Sequence, residues 1–279
     1  MKFWKRVKKL TNCAANLPMK LEGERLVPKA NNRNAFYWEH LKRYQFAKPY
    51  IVNKKVLDLG CGTGYGSAEL ISMGAKSVDG VDLSRGAIDF ARANYSPKNL
   101  SFFVADALNL PFKNNTFDSV VSFEVIEHVK DYTEYLNEVF RVLKKSGYFI
   151  FSTPNIKQYR AGSSHFHFKE FSSQELRSIF KRRKLPLELF GQTFKKRDYL
   201  AAQKQYFQRY QRFTLGGSRI IKKIYHLIPS NIKVAIYKHI FLELPQISPK
   251  EITISKNQID KSITLIGLSQ KARQLTTLR

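Results

Sequence analysis

The chain has 279 residues, 43% of them hydrophobic, and a formal net charge of +26; that is enough length and apolar content for one well-buried α/β domain with a substantial elaboration. No apolar run reaches the roughly 18–20 residues that span a bilayer, and the N-terminus lacks the apolar stretch and cleavage site of a secretory signal, so the expectation is a cytoplasmic protein. Cys13 and Cys61 are too few and too differently placed for a disulfide framework or a zinc site.

The charge is unevenly distributed. Residues 1–50 hold 12 Lys/Arg against 3 Asp/Glu, residues 51–176 hold 14 against 14, residues 177–240 hold 16 against 2, and residues 241–279 hold 6 against 3. A neutral centre with basic flanks reads as a globular core carrying segments for an anionic surface, with solvated lysine-rich loops as the plainer alternative.

In chain order, VLDLGCGTGYG (56–66) is an apolar strand breaking into a Gly-rich turn, followed by the helical SAELISMGA. SVDGVDLS (77–84) is a second strand, with Ser84 placed to cap a helix through GAIDFARANY. LSFFVADA, TFDSVVSF and GYFIFSTP are a third, fourth and fifth strand, the last after the amphipathic YTEYLNEVFRVLKK. Strands alternating with helices predict a Rossmann-like, doubly wound, mostly parallel sheet. LPLELFG and SITLIGLSQK bring it to seven strands, with the residues between them forming a basic insertion before the last strand. The expected division is a basic N-terminal segment (1–33), a core (34–194), a basic amphipathic helical insertion (195–258), and a final strand and tail (259–279). In SRIIKKIYHLIPS and in MKFWKRVKKL, apolar and basic residues occupy opposite helical faces. Such helices lie in an anionic membrane interface, here the inner face of the cytoplasmic membrane, or pack as a lid on the sheet.

Gly60, Gly62 and Gly64 stand where the first strand turns into a helix, a place where backbone approaches a ligand closely with its N–H groups outward. The spacing does not match a dinucleotide fingerprint, and no Lys-Ser/Thr follows, which excludes a P-loop. Asp82, ending the second strand, is placed to accept from ribose hydroxyls, and Asp106, ending the third, from an adenine amine. An adenosyl ligand across three adjacent strand ends fits.

Taken together, VLDLGCGTGYGS, VDGVDLS, VADALNLPF, FDSVVSFEVIEHV and a strand ending STPN resemble the class I S-adenosylmethionine-dependent methyltransferases. The chain is similar to the type 11 group and looks like a bacterial subgroup acting on small or lipid-linked acceptors, often in glycan pathways. Upstream GERLVP and EHLKRYQFA and downstream HFHFKEFSSQEL extend the resemblance over roughly residues 22–192. It implies that Asp58, Gly60, Gly62 and Gly64 hold the methionine part of the cofactor, Asp82 the ribose, and Asp106 with the Ala107 backbone the adenine, with Cys61, Leu83 and Phe123 also at the cofactor. Arg43 either reaches the cofactor carboxylate or is a surface arginine near a helix C-terminus.

Methyl transfer requires mainly an aligned acceptor and a route for its proton. Glu124, Glu127 and His128 follow the fourth strand at spacings that one helical turn would bring to a common side. They read as a site for Mg²⁺ or Mn²⁺, as an acid/base group with His128 as general base, or as a helix start. E-x-x-E-H followed by H-x-x-E resembles metal-dependent methyltransferases, including small-RNA 2′-O-methyltransferases and ubiquinone-pathway O-methyltransferases. That resemblance makes His167 rather than His165 the fourth ligand. The expected activity is O-methylation of a glycan, lipid-linked or quinone-like hydroxyl at the membrane surface. The alternatives are a metal-dependent RNA 2′-O-methyltransferase and a non-catalytic cofactor-binding module.

Overall fold

The computed structural model describes residues 35–158, 167–195 and 249–272. MKFWKRVKKL, His165 and the amphipathic SRIIKKIYHLIPS lie outside these residues. The chain enters as α1 (Ala35–Ile51), then runs β1 (Lys55–Leu59), α2 (Tyr65–Ser72), β2 (Ser77–Asp82), α3 (Arg85–Asn94), β3 (Leu100–Val104) and β4 (Phe117–Phe123). After a 3₁₀ turn at Ile126–His128 come α4 (Tyr132–Val142), β5 (Leu143–Pro154), α5 (Ser173–Arg182), β6 (Glu188–Phe194), β7 (Ile252–Ser255) and β8 (Thr264–Gln270). Three helix starts are written locally. Ser84 accepts from the Ala87 amide, Asp131 from those of Thr133 and Glu134, and Ser172 with Glu175 forms a reciprocal capping box.

The strands form one sheet in the order β3-β2-β1-β4-β5-β8-β6-β7. β1 to β5 are parallel, while β8, β6 and β7 join antiparallel. The Rossmann-like reading holds, with eight strands in place of seven. The eighth, β7, falls inside the segment expected to be a helical insertion. Its ITIS alternation is only four residues long and becomes a strand because β6 offers an open edge, from Gly191↔Ser255 to Phe194↔Ile252. Among the described residues, no helix is long and apolar enough to cross a membrane.

Apolar residues fill both faces of the sheet. On one, Phe149 and Phe151 stack at 4.9 Å and Phe151 and Phe180 at 5.5 Å, with Leu57, Val120, Tyr135 and Leu265 around them. On the other, α1 and α2 cover Val56, Val78, Val121 and Ile150. Strand order reverses between β1 and β4, because the chain returns from β3 to pair β4 on the other side of β1. Open α/β sheets take ligands at the carboxyl end of such a switch point.

Gly267 on β8 lies opposite Phe151, and a Cβ there would stand 2.1 Å from Phe151 Cε1. We expect Gly267→Ala to cost about 1–3 kcal/mol through overpacking, while Gly86→Ala, whose Cβ meets nothing within 4 Å, is neutral or slightly stabilising. Denaturant midpoints of the two variants check this, and equal midpoints would contradict the packing described.

Candidate functional site

The turn after β1 is bound to β2 rather than hanging free. The amides of Gly60 and Cys61 both donate to the Val81 carbonyl, at 2.7 and 2.9 Å, and that of Gly62 donates to Asp82 Oδ2 at 2.9 Å. These three amides are therefore committed within the protein, not turned outward as expected. The glycines serve geometry instead. Gly60 and Gly64 have φ of 78° and 83°, and a Cβ on Gly60 would lie 2.2 Å from Val125 Cγ2.

Asp58 sits beneath this turn, 1% exposed. Its carboxylate accepts from the Ser67 hydroxyl at 2.6 Å and the Tyr44 hydroxyl at 3.3 Å. Burial pushes its pKa up to about 7, partly offset by the Ser67 and Tyr44 bonds, with Asp82 raising it again. Cys61 is buried beside it, its thiol pushed well above the usual range by burial and then by the Asp58 charge. Asp82 stands at the end of β2, where Oδ1 accepts from the Ser84 amide at 2.9 Å and Oδ2 from Gly62. Leu83, 70% exposed, stands next to it. One strand further, the exposed Asp106 turns its own loop by accepting from the Leu108 amide at 2.9 Å, and Ala107 is half-buried. Phe123 is buried, its ring edge-on to Tyr44 at 4.9 Å.

The charged end of β4 departs from expectation. Glu124 adopts φ 57°, a left-handed conformation, so no helical turn joins it to Glu127 and His128. Its amide bonds the Ser152 carbonyl, its Oε1 accepts from Ser152 Oγ at 2.6 Å, and Arg43 Nη1 lies 3.9 Å away. The 3₁₀ turn then brings Glu127 and His128 together, and His167 arrives from the segment before α5. One ligand atom from each of these three lies within 4.8 Å of the others. Glu124 is outside that group. The His128 and His167 rings meet edge-on at 4.8 Å, and His128 Nε2 is 4.0 Å from Glu127 Oε1. His167 Nδ1 faces Glu170 Oε1 at 3.2 Å, and the Phe168 amide donates to the Glu127 carbonyl at 2.8 Å. Glu127 is 1% exposed and both its carboxyl oxygens lack a hydrogen-bond partner. Burial, then the Glu124 charge, hold its pKa well above the usual carboxylate range.

Arg43 is not on the surface. It is 2% exposed, with Nη1 3.4 Å from both Gln192 Oε1 and Thr264 Oγ1. Gln192, Thr264, Ser152, Tyr44 and Ser67 were not singled out from the sequence. The available signal was a polar residue at an inward position of an otherwise apolar strand, as Gln192 is in β6 and Ser152 in β5.

The folded chain holds the Asp58 proton to about pH 7, whereas an unfolded Asp releases it near 4. Its contribution to stability is thus full below the lower value and is lost as pH rises through 7. The melting temperature of the wild type should therefore fall between pH 5 and 8 more steeply than that of Asp58→Asn. Parallel curves by scanning fluorimetry would show that Asp58 ionises normally.

The family model described as "Methyltransferase domain" matches residues 57–151. A Mycobacterium tuberculosis protein named "Probable S-adenosylmethionine-dependent methyltransferase" is 35% identical over 163 residues, covering 57% of this chain and 58% of its own length. The fatty-acid O-methyltransferase of Mycolicibacterium smegmatis is 34% identical over 107 residues, 38% of this chain and 39% of its own. The chain spans under two thirds of the length of these relatives. Among solved structures, a SAM-dependent methyltransferase from Thermotoga maritima superposes with TM-score 0.56 at 19% identity, covering 85% of this chain and 92% of that one. One from Mesorhizobium loti gives 0.53 at 16%, covering 84% and 98%. These last two likenesses speak for the fold, and the family match falls on β1 to β5, the strands that carry the glycine turn, Asp82 and the Glu127 cluster. The chain carries a class I S-adenosylmethionine-dependent methyltransferase domain.

Proposed function

We propose that the protein transfers a methyl group from S-adenosylmethionine to an oxygen of a glycan, lipid-linked or quinone-like acceptor. The observation that carries this reading is the Glu127–His128–His167 cluster at the carboxyl end of β4, adjoining the glycine turn of β1. A purely cofactor-holding module has no need of two imidazoles and a buried carboxyl there. The printed names of the matched relatives support methyl transfer, and that of the fatty-acid enzyme supports an oxygen acceptor.

When bound, S-adenosylmethionine supplies a methyl group on a cationic sulfur, an electrophile that needs no further activation. What this chain adds is placement and proton handling. In our reading Asp82 accepts from the ribose hydroxyls, Leu83 covers the adenosine, and Asp106 and Ala107 meet the adenine edge. His128, about one-third exposed, takes the acceptor proton, and the buried Glu127 and the His167–Glu170 pair orient it. Action at an anionic membrane surface is supported by the charge of the flanks, with their alternating apolar and basic residues.

A divalent ion is the second reading, favoured by one specific observation: Glu127 presents two buried oxygens without partners beside two imidazoles. The donor set suits Mg²⁺ or Mn²⁺, and Glu170 against His167 Nδ1 is the kind of outer partner that orients a metal-binding histidine. Glu127, His128 and His167 would hold the ion, which would lower the pKa of an acceptor hydroxyl. Glu124 is directed elsewhere.

Asp82→Ala should weaken S-adenosylhomocysteine binding by more than about tenfold in calorimetry; unchanged affinity would displace Asp82 from the ribose. His128→Ala should lower turnover of labelled methyl groups by about 10²–10⁴ with cofactor affinity nearly unchanged, and an active variant removes His128 from the mechanism. Loss of turnover in EDTA, restored by Mg²⁺ or Mn²⁺, would establish the metal reading, whereas indifference to chelator leaves the acid/base one.

A further inference from the structure

One buried polar cluster has no part in the chemistry above. Arg43 reaches from α1 over the ends of β4 and β5 to the antiparallel half of the sheet, where its Nη1 contacts Gln192 on β6 and Thr264 on β8. All three are buried, at 2%, 0% and 3% exposure. A guanidinium carries five N–H donors and a permanent charge, so its removal from water calls for short, charged partners. Those present fall short. Both hydrogen bonds are 3.4 Å long and go to neutral oxygens, Glu124 Oε1 is 3.9 Å away and takes its short bond from Ser152 instead, and Arg43 Nε and Gln192 Nε2 are buried with no partner at all. A permanent cation held only by long bonds to neutral oxygens, with its Nε and an adjacent amide nitrogen lacking acceptors, describes a receptor for a carboxylate.

We propose that Arg43, Gln192 and Thr264 form a carboxylate-binding subsite that anchors the methyl acceptor. The proposal rests on the chain being a methyltransferase. The source of the carboxylate follows from sheet order. The glycine turn belongs to β1, whereas Thr264 and Gln192 stand three and four strands away along β1-β4-β5-β8-β6, about 14–19 Å at the usual strand spacing. The subsite is thus displaced from the turn toward the far side of Glu124 and Glu127, and a molecule held there spans back to the His128 cluster. The acceptor class becomes one that carries a carboxyl group set apart from the oxygen that is methylated.

The test uses two matched pairs, laurate with 1-dodecanol and 4-hydroxybenzoate with 4-hydroxybenzyl alcohol, titrated by saturation-transfer NMR into the full chain saturated with S-adenosylhomocysteine. The wild type should bind the carboxylate member of at least one pair about tenfold or more tightly than its alcohol. Arg43→Met and Gln192→Leu should abolish that preference while S-adenosylhomocysteine affinity stays within about twofold. No preference in the wild type, or a preference that survives both substitutions, overturns the subsite. Loss of S-adenosylhomocysteine affinity in Arg43→Met also overturns it, by assigning Arg43 to the cofactor's own carboxylate. If Arg43→Met does not fold by circular dichroism, Thr264→Val with Gln192→Leu decides in its place. Failure of the wild type to bind S-adenosylhomocysteine would instead sink the methyltransferase reading itself.

Discussion

Everything at the carboxyl edge depends on one linkage: the turn after β1 is held to the end of β2. Two amides share the Val81 carbonyl and a third is taken by Asp82. This sets the path of Gly60 to Gly64, and through it the start of α2. It also sets the direction of the Asp82 carboxylate, because that side chain receives the turn amide of Gly62 on one oxygen and the Ser84 amide on the other. A side chain on Gly60 would collide with Val125, in the loop that leads to Glu127. The glycine turn and the loop to Glu127 are thus locked by the same few residues.

Polar groups are buried around this linkage to very different degrees of satisfaction. Asp58 is held by Ser67 and Tyr44 and acts as a structural pin beneath the turn. Glu127 and Arg43 are as deeply buried but leave oxygens and a nitrogen without partners. Unpaired buried polar groups cost roughly 1–3 kcal/mol each and more when charged, so they persist in folds where a ligand completes them. The incomplete groups lie on the β4, β5, β6 and β8 side of the site, and the completed one lies under β1. In the proposed reading, that asymmetry separates a pre-formed cofactor half from an acceptor half that a ligand completes.

Most of the sheet was legible because each strand of the parallel half is a short apolar run punctuated by glycine, serine or aspartate. The cap of Ser84 was equally local in origin. β7 was not legible, since ITIS becomes a strand only where β6 presents an open edge. Glu124 was misplaced for a related reason. The i, i+3, i+4 spacing of Glu124, Glu127 and His128 assumes helical backbone, and a left-handed φ at a non-glycine residue has no signature in residue type. Cluster membership could be read for Glu127, His128 and His167, but not the burial of Arg43, which arises from strands some 150 and 220 residues away in sequence.

A crystal structure of the chain with S-adenosylhomocysteine tests the central claim most directly, that a turn tied to β2 presents a cofactor to the Glu127–His128–His167 cluster. The account predicts the ribose on Asp82, the adenine toward Asp106, and the sulfur facing His128 across the end of β4. A ligand bound away from the β1–β4 switch point, or one whose sulfur faces away from His128, would contradict it.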